Sequence, residues 1–150
     1  MKTPLRLDSI AESLANSFRQ ASELHQRRAA SAAARIAASR AGLRGIEVDA
    51  AREILRRGGN NGTAVRQRLE TLSADLDDQY LRLGEEADEE SGQVSPEALL
   101  LFRKARAAAA LAFALSPDPE QLHEAVYEAI IASEDREETI RSADMALQRE

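Results

Sequence analysis

The chain has 150 residues, 20 Lys and Arg against 26 Asp and Glu for a net charge of −6, no Cys, no Trp and 3% aromatic residues. Without Cys there is no disulfide framework, thiolate nucleophile or sulfur-ligated zinc, and so few aromatics leave little for single-stranded nucleic acid to stack on. A globular chain of this length buries about 70% of its unfolded surface, so one domain needs no covalent staple.

Charge is unevenly spread. Residues 1–57 hold 11 basic and 6 acidic side chains, a net of +5, and residues 58–150 hold 9 and 20, a net of −11. Such an asymmetry points either to an acidic partner for the first part or to two faces attracting each other. The opening "MKTPLRLDSIAESLANSF" is too interrupted by charge and serine for a secretory apolar region. The longest apolar stretch, residues 105–115, has core length rather than membrane-spanning length.

Ser9 and Glu12 read as a capping box opening a helix, and Ile10, Leu14, Phe18, Ala21, Leu24 and Ile36 recur on one face. The pattern predicts one long helix over about 9–40, closed by Gly42 and Gly45. Its second half, "RRAASAAARIAASRAG", has Ile36 as its single large anchor, so the expectation is a weakly packed segment that needs a partner. Asp49 caps a short helix, "AAREILRR", with Arg56 and Arg57 at its negative end. The stretch "RRGGNNGTAVRQRLE", 56–70, could be a phosphate loop or a joint between helices. No strand precedes it and no lysine follows, so a joint is expected, with Gly58 or Gly59 left-handed and Thr63 as the next cap.

A third helix is predicted from about 64 to 83, with Val65, Leu69, Leu72, Leu76, Tyr80 and Leu83 inward. The carboxylates of "GEEADEESGQ", 84–93, predict a solvated loop. They do not alternate around a central glycine as a calcium loop would. Ser95 and Pro96 restart helix, and Leu99, Phe102, Arg106, Ala109 and Phe113 trace one face. Asp118 and Pro119 open another, burying Leu122, Val126 and Ile130 with Ile131 beside them; a tail anchored by Ile140 and Leu147 continues or restarts it. No strand alternation occurs. The fold class expected is all-α, an antiparallel helical bundle of five or six helices with a long N-terminal helix.

Catalytic and metal patterns are sparse. Glu120 and His123 form one Glu-x-x-His where a di-iron bundle needs two such pairs and two further glutamates. His25 reads as a partly exposed interface residue, and Asp77 and Asp78 point to different sides of a helix. No cofactor and no enzymatic activity are expected. The arginines of the first helix could meet DNA phosphates, and 58–69 could serve as turn and recognition helix of a small helix-turn-helix-like DNA-binding regulator. The acidic balance disfavours that alternative. A protein-binding helical module is the stronger reading.

Three blocks resemble the gatekeeper family of bacterial type III secretion systems (the HrpJ, YopN and MxiC group). Residues 9–28, "SIAESLANSFRQASELHQRR", are similar to the family's leading helix. Residues 75–92 are similar to its recurrent Asp-Pro…Gln-Tyr-x-x-Leu element at Asp77, Gln79, Tyr80 and Leu83, with Asp78 where the family has proline. Residues 94–110 are similar to the helix that follows. The resemblance implies a non-enzymatic cytoplasmic regulator of effector and translocator export. Its partners would be a secretion chaperone or an apparatus component, and its N-terminal stretch would double as an export signal. On this reading residues 1–45 are an N-terminal partner-binding helical segment and 46–150 a helical bundle. The partner-binding candidates are Leu14, Phe18, Leu24, Arg27, Arg28, Arg35 and Ile36, and a homodimer is a further possibility.

Overall fold

A computed structural model describes residues 3–58, 62–86 and 95–148. Among them are seven α-helices: α1 (Glu12–Gln20), α2 (Glu23–Ala41), α3 (Ile46–Arg56), α4 (Thr63–Glu86), α5 (Pro96–Ala114), α6 (Leu122–Ala132) and α7 (Arg136–Gln148). Short 3-10 turns precede α1 (Arg6–Ser9) and α6 (Pro119–Gln121), and the described residues contain no strand. The all-α class is as expected; five or six helices become seven.

The expected long N-terminal helix is broken. Ser9 is no helix cap: it lies in the first 3-10 turn, its hydroxyl donating to the Arg6 carbonyl at 2.6 Å, and α1 begins after Ala11. The second break falls at Ala21, which is extended, and Ser22, whose Oγ accepts from the His25 N–H at 3.3 Å to cap α2. Both pieces turn apolar side chains inward, so the stripe of Leu14 and Phe18 runs across the break without recording it. Leu24, in the first turn of α2, falls off that stripe and is 56% exposed.

The core is built from alanine. On α2, Ala29, Ala30, Ala33, Ala34, Ala37, Ala38 and Ala41 are all at most 2% exposed. On α5, Ala105, Ala107, Ala108 and Ala110 are at 0%, and α6 adds Ala125 and Ala129. A methyl-sized side chain keeps little distance between backbones and so favours close helix packing. α2 packs against α5, α6 and α7. The expectation that its second half is under-filled is therefore overturned: the chain's own helices cover it. Large side chains complete the same core, Leu7, Leu111, Leu122, Val126 and Ile130 all at 0%.

Long-range bonds fix the directions. Arg103 reaches the Arg40 carbonyl at one end of α2 while Arg27 reaches the Ser116 carbonyl at the other, so α2 and α5 are antiparallel. The Ser73 hydroxyl donates to the Ala105 carbonyl at 2.9 Å and the Tyr80 and Phe102 rings lie 5.5 Å apart, so α4 and α5 form an antiparallel hairpin. Of the six α4 positions expected inward, Leu69 and Leu76 are buried and the other four half-buried, because α4 packs chiefly on α5 and leaves its far face to solvent. The Asp77–Leu83 element lies inside this continuous helix rather than at the start of one. Residues 87–94 of the acidic loop lie outside the described residues, as do Gly59, Asn60 and Asn61 of the joint.

Two stops follow the expected chemistry. Gly58 has φ 76° and Gly42 has φ 70°, both left-handed. At Gly42 an added Cβ would meet nothing within 4 Å, so Gly42→Ala costs backbone strain alone, about 1 kcal/mol. We expect a thermal melt of that variant to fall by about 2–4 °C, and an unchanged midpoint would show that the turn relaxes.

Candidate partner-binding groove

The Ser22 cap starts α2 so that it projects Leu24, Arg27, Arg28 and Arg35 to one side. The end of α3 supplies Leu55, Arg56, Arg57 and Gly58 opposite, and Ala114 of α5 and Ala146 of α7 complete an open groove of about 700 Å3. A neighbouring recess of about 570 Å3 shares Ala32, Arg35 and Arg56 with it and adds Ile36, Asp49, Arg52 and Glu53. Four of the seven candidates thus line one groove, and Ile36 lines the recess next to it. Leu14 and Phe18 do not: each is 3% exposed in the core, where the chain's own residues occupy their faces.

The arginines differ in how far they are engaged. Arg27 is structural, donating to the Ser116 and Pro117 carbonyls at 3.0 and 3.1 Å in the turn beyond the end of α5. Arg35 donates from Nε to the Ser31 hydroxyl at 3.1 Å. Arg56 and Arg57 share Glu53 at 2.7 and 2.8 Å, an i,i+3 and i,i+4 arrangement along α3. The hydrogen bond from Arg56 holds the Glu53 carboxyl below its ordinary range, and Glu53 in turn raises the Arg56 guanidinium. Arg28 is exposed and makes no ion pair among the described residues. Arg52 Nε is buried without a hydrogen-bond partner. Five arginines and no carboxylate line the main groove, and its floor is apolar. Such a surface attracts anionic groups and covers aliphatic ones.

Sequence reasoning missed the α3 half. Arg56 and Arg57 read as favourable charges at a helix end, and nothing local says that this end faces α2. The net charge of +5 over residues 1–57 was the available signal.

Elsewhere the candidate chemistry disperses. Glu120 is exposed in the second 3-10 turn, and His123 Nδ1 lies 3.3 Å from Glu124, its chain neighbour. His25 Nδ1 is 2.6 Å from its own cap hydroxyl, Ser22. Among the described residues no group of three or more His, Cys, Asp or Glu is placed to hold a metal ion, and no helix is long and apolar enough to cross a membrane. Residues 57–62 separate α3 from α4, longer than the three- or four-residue joint of a helix-turn-helix.

No protein-family model, no curated protein and no solved structure matches the chain.

Proposed function

We propose that the chain is a non-enzymatic protein-binding module whose partner docks in the arginine-lined groove between α2 and α3. The observation that carries this reading is the convergence of Arg27, Arg28, Arg35, Arg56 and Arg57 around an apolar floor, with Leu24 exposed at the edge. Binding energy would come from covering that floor, while the arginines set orientation and on-rate. The likeness to type III secretion gatekeepers supports a secretion chaperone or apparatus component as the partner and regulation of export in the cytoplasm as the role. A row of guanidiniums also favours phosphate, which keeps a small DNA-binding regulator as the second reading.

The test is comparative capture from the source cell, with the wild-type chain and an Arg28→Glu/Arg57→Glu variant. Both side chains are exposed, so circular dichroism and melting should match wild type. The module reading expects a protein captured by wild type and lost from the variant. Equal capture by both removes the groove from the account. Salt-sensitive binding of random-sequence DNA, lost in the same variant, would install the second reading instead.

A further inference from the structure

The groove and the recess beside it share Ala32, Arg35 and Arg56, so they are two parts of one channel. On α2 the channel runs from Leu24 to Ser39, about 22 Å at 1.5 Å rise per residue. One wall is α3, with Gly58 at the Leu24 end and Asp49 at the Ser39 end. The other is α7, which places Ala146 and Ser142 in the same order. Both walls run antiparallel to α2, so the channel follows a helix axis between two neighbouring helices. Ser31, Ala32 and Ser39 keep its floor shallow, and the spaces between such side-chain rows accept the rows of another helix. Met145 shares a face of α7 with Ser142 at i,i+3 and is 64% exposed, which extends the apolar surface on that side.

Backbone chemistry decides the conformation of the occupant. The described residues contain no strand, so an extended segment would find no sheet edge to pair with. Its N–H and C=O groups would be left unpaired against the floor. A helix satisfies those groups within itself and presents side chains alone.

Charge decides the composition. Arg27, Arg28, Arg56 and Arg57 line the Leu24 end with no carboxylate among the described residues, whereas Asp49 and Glu53 lie toward the Ser39 end. Arg56 and Arg57 already share Glu53. Arg28 makes no ion pair among the described residues, so it meets an incoming carboxylate without giving up a partner.

We infer that the channel receives an acidic amphipathic α-helix of a partner protein, about four turns long to match the channel. Its docked face carries aliphatic side chains at i, i+4 and i+7, and its carboxylates are concentrated at the end over Arg28 and Arg57. The inference rests on the groove being a protein-docking surface, as proposed above, and adds what docks.

The experiment selects a phage-displayed library of random peptides, about 16 residues long to match the channel, on the full wild-type chain. Arg28→Glu/Arg57→Glu serves as counter-selection; both side chains are exposed, and its melting curve is the folding check. Synthetic copies of the enriched peptides are then followed by circular dichroism and fluorescence anisotropy at low and high salt. The enriched peptides should show the i, i+4, i+7 aliphatic spacing and an excess of Asp and Glu. Isolated helices of this length are marginal in water, so helix content should rise on mixing. Binding should weaken about tenfold or more in Arg28→Glu/Arg57→Glu and should weaken as salt rises. Peptides of alternating or proline-rich pattern, without acidic excess, or without gain of helix overturn the inference. So does equal binding to the variant, or a selection that enriches nothing. If the inference fails in any of these ways while the wild type still captures a cellular protein that Arg28→Glu/Arg57→Glu loses, the docking reading stands without it. If that capture is also unmoved, the docking reading fails with it.

Discussion

A chain lacking residues 1–40 is expected to lose cooperative folding altogether. Read from the sequence, the same truncation should leave a folded bundle and abolish only partner binding, because residues 9–40 carry few large apolar anchors. The fold reverses that expectation. α2 is the element against which α5, α6 and α7 pack, and its seven alanines at most 2% exposed are as buried as any leucine in the molecule. At about 0.8 kcal/mol per buried methyl-sized group, those alanines and the surfaces facing them contribute on the order of 10 kcal/mol. A domain of this kind has a total stability of about 5–15 kcal/mol, so the loss is of the size of the whole. The truncated chain should show a broad, weak transition in circular dichroism and bind a hydrophobic dye. A sharp melt near the wild-type midpoint would mean that residues 41–150 form a separate unit. Ala34→Leu gives a graded version in the intact chain: Ala34 is fully buried, and added bulk at such a site costs about 1–3 kcal/mol. A peripheral α2 would accept the change without effect.

The same alanines explain what the sequence conceals. Helix periodicity is a local signal and it holds, as do two of the caps: Ser95 accepts from the Ala98 N–H at 3.0 Å and Asp118 from the Glu120 N–H at 3.0 Å. The caps expected at Ser9, Asp49 and Thr63 do not, since Ser9 lies in a 3-10 turn, Asp49 inside α3, which starts after Gly45, and Thr63 is already the first residue of α4. Leu122, Val126 and Ile130 are all fully buried as their spacing predicts. Large residues announce their inward face because only burial justifies them in such a row. Alanine is tolerated on any face of a helix, so whether "AASAAARIAASRA" is core or surface depends on which helices approach it. That is decided far away in sequence.

The groove was half legible for the same reason. Arg27, Arg28 and Arg35 stand out as a basic run on α2, but Arg56 and Arg57 join them only because α2 turns back on itself at Gly42 and α3 returns along it. Leu14 and Phe18, chosen for size, are core for that very reason. Size marks the interior, whereas exposure of a large side chain, as at Leu24, Leu81 and Leu99, can be read only once the fold is known.

Replacing Arg106 by leucine should cost about 3 kcal/mol, more than replacing its partner Glu128. Arg106 already stood out in the sequence, as the one charge in the row Leu99, Phe102, Ala109 and Phe113. Its guanidinium donates to Asp77 at 2.7 Å and to Glu128 at 3.1 Å, joining α4, α5 and α6. Arg6 closes the network from the N-terminal turn: it bonds Glu124 and, at 3.1 Å, Glu128, and lies 4.2 Å over the Tyr127 ring. The Glu124 bond holds the Arg6 guanidinium above its ordinary pKa. The asymmetry between the two substitutions comes from burial. The Glu128 side chain is 4% exposed, whereas those of Arg6 and Asp77 are 52% and 39% exposed. Without Arg106, a buried carboxylate keeps only the half-exposed Arg6, and an under-compensated buried charge costs about 3–5 kcal/mol when its partner goes altogether. Without Glu128, Arg106 keeps Asp77 and Arg6 keeps Glu124, so Glu128→Leu should cost only about 1 kcal/mol. The double variant should resemble Glu128→Leu alone, because removing both groups leaves no buried charge unanswered. Urea unfolding of the four proteins measures the coupling, expected at about 3 kcal/mol. Additive costs, or an Arg106→Leu no weaker than Glu128→Leu, would show that water reaches Glu128 and that the network contributes little to stability.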